Sequence, residues 1–420
     1  MEELKNNLFA LLKKTERFTK TDNLYLFKGG FFLTLSSVAT GALSFVMAIT
    51  LGWLLPKEVY GNYKYLFSIL GIVALFTLGG MDTAVTQAVA RGQDGSFRIG
   101  FRKKLIFSLL GTLTAIAIAV FYFAQGKDLI AYGSLVVGAF LPLWGPFGLY
   151  PAYFIGKGQF RNITKANVGV QALVALSIII TAYFSKNFLI LTAVNLAVQT
   201  LGAGFVAWRI LRSIPKEAPS DPNTQSYGLH LSVIDVLNTV ATYLDNILVF
   251  TLLGPASLAV YNFAMAPAEQ IKGLFKNAQS LAMPKFSNKT MEEVQKSLNR
   301  KIILFLILSI FIILIYIVSA KILFGIFLPQ YMESVKYSQI YALSLLMAPI
   351  YIILAALKAT SQTKKLYEFS IVNAIFEIIL ISVLIPLWGL WGAVLSQVIS
   401  RIFNFIYGWI SLRKYEKIPT

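Results

Sequence analysis

Residues 302–320 read IILFLILSIFIILIYIVSA, a run of hydrophobic residues without a charge. This composition and length are typical of a helix that crosses a bilayer, which needs about 20 apolar residues. The rest of the chain is similar, because 57% of its 420 residues are hydrophobic, only 13% are charged and the mean hydropathy is +0.68. Soluble proteins are about 25% charged. The sequence therefore predicts a polytopic membrane protein and excludes a soluble enzyme and a disordered chain.

Apolar segments of this kind recur along the whole chain, and we number them as spans 1 to 12. Their predicted ranges are 30–54, 65–90, 105–124, 129–155, 166–184, 188–208, 229–253, 256–283, 302–320, 337–357, 366–386 and 389–412. Lys and Arg concentrate in the cytoplasmic loops of membrane proteins. Here 28 of them lie on one side, named the basic-rich end, and 6 on the other, the basic-poor end. We therefore predict twelve spans with both termini in the cytoplasm.

The chain divides into two halves that resemble each other. A polar stretch with Pro215, Pro219 and Pro222 separates them, and Tyr63 and Tyr261 enter the second span of each half in similar sequence contexts. This pattern predicts an all-α protein with two six-helix lobes around a central polar cavity. The predicted parts are an amphipathic cytoplasmic N-terminal segment (1–28), an N-lobe with spans 1–6 (29–212), a cytoplasmic linker (213–228), a C-lobe with spans 7–12 (229–412) and a cytoplasmic tail (413–420).

Ionisable side chains inside the spans are candidate functional groups, since each costs about 2.5–3.5 kcal/mol to insert. In span 8, Asn262, Glu269, Lys272 and Lys276 follow one another at spacings of one or two helical turns, which places them on one face. Spans 2, 7, 11 and 12 carry similar stripes. Alternatively, Glu269 and Lys272 pair on their own helix and the other polar groups hold helices together. The set as a whole favours a polar cavity between the lobes.

The cavity residues fall into three predicted groups. Cations that attract phosphate or carboxylate are Arg401, Lys276 and Lys272 within spans, and Arg91, Lys358 and Lys28 at span ends. Acids that couple transport to an ion gradient, or only balance these cations, are Asp82, Asp235, Asp245, Glu269 and Glu377. Further polar groups that line the cavity are Asn262, Asn373, Gln397 and Asn404.

Span 4 carries Pro142 and Pro146, each of which removes a backbone hydrogen bond. We predict a hinge at this pair, with simple kinking for packing as the alternative. The chain has no cysteine and a single histidine, His230, which excludes thiolate-bound metal and an imidazole-rich metal site. Phosphate loops and common hydrolase motifs do not occur in the sequence. No cofactor, no metal and no nucleic acid partner is therefore predicted, nor is an enzyme.

Several short motifs occur in a recognisable order. They are Tyr60-Gly61-Asn62-Tyr63, Gly79-Gly80-Met81-Asp82, Leu244-Asp245-Asn246, Gly254-Pro255, Val260-Tyr261 and Trp388-Gly389-Leu390-Trp391-Gly392-Ala393. By the order and spacing of these motifs, the chain beyond residue 28 resembles the Wzx-type polysaccharide flippases of the MOP exporter superfamily. One departure is Ala259, where the second half of the family commonly has glycine.

The resemblance implies a function. Such flippases move undecaprenyl-diphosphate-linked oligosaccharides, for O-antigen, capsule or related glycans, from the inner to the outer leaflet of the bacterial inner (plasma) membrane. They use alternating access, with a proton or sodium ion as the coupling ion. The implied partners are this lipid-linked oligosaccharide, membrane lipids, and polysaccharide polymerase with its assembly machinery. Arg401, Lys276 and Lys272 then face the diphosphate or an acidic sugar, and Asp82 matches the acidic position of the family in span 2.

Two other functions stay open at this point. A cation-coupled multidrug exporter of the same superfamily would bind a cationic drug through the cavity acids, and an expected excess of cavity cations argues against it. A membrane polysaccharide polymerase or ligase is the alternative from a different class. It would need an acid or base in a sizeable exterior loop, and the predicted exterior loops are short and hold only Glu58, Asp128 and Glu333 as acids.

Overall fold

The computed structural model describes residues 23–287, 291–359 and 363–413, and the regular structure in these ranges is helical. Each predicted span is found as a helix or as two helices in series. In chain order they are Asn23–Leu54 (span 1), Lys57–Val73 and Gly80–Ala90 (span 2), Ser96–Ala124 (span 3), Asp128–Phe147 and Tyr150–Gly156 (span 4), Phe160–Phe184 (span 5), Phe188–Ser213 (span 6), Thr224–Leu253 (span 7), Pro255–Ser287 (span 8), Met291–Phe327 (span 9), Ser334–Ala342 and Ile350–Ala359 (span 10), Thr363–Trp388 (span 11) and Leu390–Arg413 (span 12).

The predicted fold class is confirmed: this is an all-α polytopic membrane protein with two six-helix lobes around a central polar cavity. Among the described residues, 11 helical segments are long and apolar enough to cross a bilayer. The remaining predicted span is span 8, which carries the polar stripe with Glu269 and Lys272. The proposed N-terminal amphipathic segment lies, up to residue 22, outside the described residues, as does the tail beyond residue 413.

Span 2 differs from its prediction. Its helix begins at Lys57, and the expected start at residue 65 was wrong because the charged residues Lys57, Glu58 and Lys64 resemble a loop. The helix is also interrupted by a 3-10 turn, Ala74–Thr77, after which Leu78 has a φ of 57°. A left-handed backbone at a leucine ends a helix, so Gly80–Ala90 starts a new one. The first part of span 2, Lys57–Val73, is consequently a continuous helix that includes Lys64.

Helices within each lobe pack against both sequential and more distant neighbours. In the N-lobe, span 3 packs along span 4 and span 1 along span 5, and in the C-lobe, span 11 packs along span 12. Between the lobes, the first helix of span 2 packs against span 8, and its second helix packs against span 7. Span 2 therefore lies along the lobe interface over its whole length.

The lobes close on each other at the basic-poor end. Trp53 Nε1 of the N-lobe donates to the backbone oxygen of Phe327 at 2.5 Å, and the Tyr60 and Phe263 rings stack with their centroids 4.5 Å apart. Gly61 lies so close to span 8 that a Cβ there would be 1.8 Å from the carbonyl oxygen of Pro255. We call these contacts the basic-poor gate. In this structure these contacts hold the two lobes together on the basic-poor side of the cavity.

The segment between spans 6 and 7 lies on the N-lobe. Gly95 N donates to Pro219 O at 2.9 Å, and Arg91 forms an ion pair with Asp221 at 2.6 Å. Arg98 donates to the carbonyl oxygens of Leu211, Ile214 and Pro215 at the end of span 6. The helix of span 7 then begins at Thr224, inside the predicted linker. This segment is thus held by residues 91–98 instead of bridging the lobes freely.

Candidate functional site

A central cavity of about 940 Å³ lies between the lobes. Side chains of spans 1, 2, 4, 5 and 6 form its N-lobe wall, and spans 7 and 8 form its C-lobe wall. Its polar lining is mostly amides and hydroxyls, each of which can both donate and accept hydrogen bonds. The uncharged polar members are Ser44, Tyr60, Tyr63, Gln171, Asn195, Gln199, Ser232, Asn238, Thr239, Thr242, Tyr243, Asn246, Asn262 and Gln270.

A second, smaller cavity of about 380 Å³ lies within the C-lobe, and we call it the C-lobe pocket. Spans 7, 8, 10, 11 and 12 contribute to its lining, which includes the predicted residues Asn404 and Gln397. Asp245 and Glu269 line both this pocket and the central cavity. The two cavities therefore share a carboxylate wall.

Glu269 is the centre of an ionic cluster in the C-lobe pocket. Its carboxylate pairs with the Arg401 guanidinium at 2.8 Å and with the Lys272 ammonium at 3.1 Å. Tyr341 donates its hydroxyl proton to the same carboxylate and accepts a hydrogen bond from Arg401 Nη2 at 2.5 Å. One carboxylate thus holds two cations and orients a phenol.

Asp245 and Glu377 form a second polar group in this pocket. The amide nitrogen of Gln397 donates to Asp245 at 3.2 Å and to Glu377 at 3.1 Å. Asp245 also accepts from the Tyr261 hydroxyl at 2.7 Å and from the backbone nitrogen of Asn246 at 2.6 Å. The two carboxylates come from spans 7 and 11, and an amide of span 12 bridges them.

Some buried polar atoms near these groups have no hydrogen-bond partner in the described structure. They are Arg401 Nε, Ser400 Oγ and Asn373 Oδ1, although Asn373 Nδ2 donates to Phe369 O at 2.7 Å. Buried polar atoms are usually satisfied. Hydrogen-bonding atoms without a partner beside two cavities are consistent with a site that receives a polar ligand or water.

The lining is not dominated by cations. The described residues of the two cavities include three cations, Lys64, Lys272 and Arg401, against the four acids Asp235, Asp245, Glu269 and Glu377. The sequence predicted an excess of cations, and this balance removes one argument against a cationic ligand. All four acids and two of the three cations, Lys272 and Arg401, belong to the C-lobe, whereas Lys64 belongs to the N-lobe.

Other predicted site residues lie away from these cavities. Asp82 pairs with Lys104 of span 3 at 2.5 Å, and Arg91 pairs with Asp221. Pro142 and Pro146 lie inside the continuous helix Asp128–Phe147. The side chains of Lys28, Lys276 and Lys358 fall outside the described part of the structure.

Two residues of the site were missed in the sequence. Tyr341 of span 10 joins the Glu269 cluster, and no local pattern marks a tyrosine as a partner of distant charges. Lys64 lines the central cavity from span 2. The sequence pattern that places Lys64 on a helix was present, because it follows helical spacing with Tyr60, Phe67 and Gly71. Lys64 was nevertheless assigned to a loop.

Comparisons with known proteins agree with this architecture. Residues 26–288 match the family described as "Polysaccharide biosynthesis protein". A search of curated proteins gives no match. Among solved structures, the chain is similar to the lipid II flippase MurJ in an inward closed conformation, with a TM-score of 0.67, 16% identity, and coverage of 90% of this chain and 87% of that one.

Two other solved structures have the same fold. An inward-facing multidrug resistance MATE family transporter of the MOP superfamily gives a TM-score of 0.64 at 15% identity, covering 92% of this chain and 96% of that one. A MOP superfamily transporter from Pyrococcus furiosus gives 0.62 at 14% identity, covering 93% and 97%. The family match extends over more than half of the chain and confirms the resemblance seen in its motifs. The chain therefore belongs to the polysaccharide biosynthesis protein family, as a membrane transporter with the MOP-superfamily fold.

Proposed function

We propose that this protein is a flippase that moves a polyprenyl-diphosphate-linked oligosaccharide from the cytoplasmic to the outer leaflet of a bacterial inner membrane. The observation that carries the proposal is the polar central cavity of about 940 Å³ at the lobe interface of a polysaccharide biosynthesis family member. Sugars present hydroxyls that need both donors and acceptors, and the amides of Gln171, Gln199 and Asn262 offer both. The prenyl tail stays in the lipid while the glycan crosses through the cavity.

The diphosphate binds the cations of the Glu269 cluster. Arg401 and Lys272 converge on one carboxylate, so a diphosphate that reaches them competes with Glu269 for the same donors. A guanidinium binds phosphate through two parallel hydrogen bonds, and the unpartnered Arg401 Nε leaves capacity for this. Lys276, one turn beyond Lys272 in span 8, extends the site, while Lys28, Lys358 and Arg91 attract the headgroup at the basic-rich end.

Ion coupling involves the acids of the C-lobe pocket. Asp245 and Glu377 share the single amide of Gln397, and a proton or sodium ion held by their oxygens neutralises part of this charge. Neutralisation changes the electrostatic balance around Arg401, whose guanidinium lies in the same pocket. The ion gradient thereby alters the competition between Glu269 and the diphosphate for the cations.

Alternating access follows from the closed basic-poor gate. With this gate closed, substrate enters from the basic-rich side, which the Lys and Arg distribution predicts to be cytoplasmic. Release requires the lobes to separate at Trp53 and Gly61, with Pro142 and Pro146 of span 4 as the hinge. The glycan changes sides and its linkages stay the same.

The test uses purified protein in proteoliposomes that hold a labelled polyprenyl-diphosphate oligosaccharide. Exposure of the glycan to an external sugar-cleaving enzyme is followed with and without a proton or sodium gradient. We expect transfer faster than in protein-free vesicles, and at least about tenfold slower in Arg401→Ala, because a charge-assisted hydrogen bond contributes about 1.5–3 kcal/mol. Arg401→Lys keeps the charge and reports whether lost folding explains the loss.

The matched control is Arg161→Ala, because Arg161 is an exposed arginine outside both cavity linings. Its transfer rate should equal that of the unchanged protein. A normal rate in Arg401→Ala would remove the diphosphate site proposed here. Proton-driven export of a cationic dye without glycan transfer would favour the multidrug exporter, and new sugar linkages in the product would favour a polymerase or ligase.

A further inference from the structure

Lys64 is a membrane-embedded cation that has no counter-charge among the described residues. Its side chain lines the central cavity, and the ammonium makes no ion pair with any described residue. The other two cations of the described lining, Lys272 and Arg401, both pair with Glu269. A cation at membrane depth is costly unless a partner compensates it. Lys64 is thus available to an incoming anion without displacement of an internal carboxylate.

The helix geometry presents Lys64 to the cavity. Tyr60, Tyr63, Lys64, Phe67 and Gly71 all line the cavity, and their spacing of three or four residues defines one face of span 2. Gly71 and Phe67 continue this face toward the middle of the bundle. Lys64 therefore lies in the half of the cavity nearer to the basic-poor gate.

Neighbouring groups add a second donor. Asn195 Nδ2 donates to the Tyr63 hydroxyl oxygen at 2.7 Å, so the hydroxyl oxygen already accepts a hydrogen bond. The Tyr63 O–H proton has no acceptor among the described residues and remains free to be donated. Tyr63 and Gln199 line the same cavity as Lys64. An anion that binds the ammonium can therefore receive neutral hydrogen bonds as well.

The sign of charge differs between the two cavity walls. In the described lining of the central cavity, the N-lobe contributes Lys64 as its charged residue, whereas the C-lobe contributes Asp235, Asp245 and Glu269. Glu269 is already balanced by Lys272 and Arg401, so Asp235 and Asp245 are the acids that repel an anion here, and Lys64 attracts it. The N-lobe wall is thus the favoured contact for a negative group inside this cavity.

We propose that Lys64, with Tyr63 and Gln199, forms an anion-binding subsite on the N-lobe wall of the central cavity. The subsite takes an oxyanion of the substrate, either a phosphate oxygen of the lipid diphosphate or a carboxylate of an acidic sugar. This inference rests on the proposed function and adds a binding residue that is separate from the Glu269 cluster. It makes Lys64 a residue that determines which substrates enter the cavity.

Two probes distinguish the possible sources of the anion. Undecaprenyl diphosphate without sugar carries the phosphate group, and trigalacturonic acid carries only sugar carboxylates, with neutral maltotriose as the reference. Their affinities for the purified full chain are measured by thermophoresis in detergent. We expect Lys64→Gln to weaken at least one acidic probe about tenfold or more, with maltotriose unaffected and binding restored in Lys64→Arg. The probe that weakens identifies the source.

Lys186→Gln is the matched control, since Lys186 is an exposed lysine of the same lobe outside the cavity. Lys64→Gln loses no ion pair and should keep the thermal stability of the unchanged protein. Unchanged affinity of Lys64→Gln for both acidic probes overturns the subsite, and so does a wild-type protein that binds neither. The proposed function is judged separately by wild-type glycan transfer in proteoliposomes, so transfer with no Lys64 effect leaves that function standing.

Discussion

The basic-poor gate depends on a glycine that one methyl group can test. Gly61 of span 2 lies against the first residue of span 8, where a Cβ would be 1.8 Å from Pro255 O. Real Cβ contacts are not shorter than 3.0 Å, so Gly61→Ala requires the helices to separate by at least 1.2 Å. The obstructing atom belongs to the backbone, which cannot rotate away as a side chain does. We expect this substitution to weaken the closed gate.

The magnitude follows from the cost of excess volume at a packed contact. Extra methyl groups in well-packed sites cost about 1–3 kcal/mol. This cost applies when the gate is closed and disappears when the lobes separate at this end. It therefore shifts the equilibrium toward the open gate by about 5- to 150-fold.

Cysteine labelling measures this shift directly, because the chain contains no cysteine. Ala48 lines the central cavity, and Ala48→Cys places a small reactive thiol there. A membrane-impermeant maleimide is added to spheroplasts, so that it reaches the predicted exterior, basic-poor side. We expect slow labelling of Ala48→Cys alone and at least fivefold faster labelling in the double variant with Gly61→Ala.

Gly169→Ala is the matched control, because nothing lies within 4 Å of a Cβ at that position. It should leave the labelling rate of Ala48→Cys unchanged. The thermal stability of each variant shows whether the protein stays folded. A folded Gly61→Ala variant that is labelled as slowly as its parent would refute the role of the Pro255 contact in closing the gate.

Two further substitutions test the contacts around the lobes. Arg98→Ala removes the donor to three carbonyl oxygens between spans 6 and 7. We expect it to lower the free energy of unfolding by about 1.5–3 kcal/mol, measured by thermal unfolding with Arg161→Ala as the control. An unchanged melting temperature would contradict this expectation. Lys57 also forms an ion pair with Glu333 between the lobes near the basic-poor gate, and the two side chains are 31% and 52% exposed. Lys57→Ala removes this ion pair. Such exposed ion pairs contribute about 1 kcal/mol at most, so the labelling rate of Ala48→Cys should rise less than about fivefold. An effect as large as that of Gly61→Ala would show instead that the ion pair holds the gate closed.

Much of the fold was predictable because hydropathy is a local property. Each apolar run must cross the bilayer as a helix to satisfy its backbone, so the number and order of spans can be deduced from the sequence. The start of span 2 could not be deduced in this way, because Lys57, Glu58 and Lys64 lie in a helix although their charges are typical of a loop. A helix that lines a polar cavity tolerates charge that a lipid-facing helix does not.

The site could be predicted from the sequence only where its residues lie on one face of a single helix. Spacing in span 8 placed Glu269 and Lys272 together, and the structure shows them in contact. The partners Tyr341 and Gln397 come from spans 10 and 12, and their meeting depends on how the helices pack. Spacing also gave no information on which charged residues face each other across the central cavity, because this results from the arrangement of whole lobes.

The way in which the inter-lobe segment is held has a consequence for biogenesis. Asp221 and Pro219 contact the N-lobe through hydrogen bonds and an ion pair with Arg91, Gly95 and Ser96, which the ribosome makes more than a hundred residues earlier. The segment can therefore dock on the N-lobe as soon as it emerges, before any part of the C-lobe exists. Span 7 then begins insertion beside span 2, where Gly80 N meets Ser232 Oγ at 3.1 Å. Co-translational docking of this kind would align the second lobe with the first during synthesis.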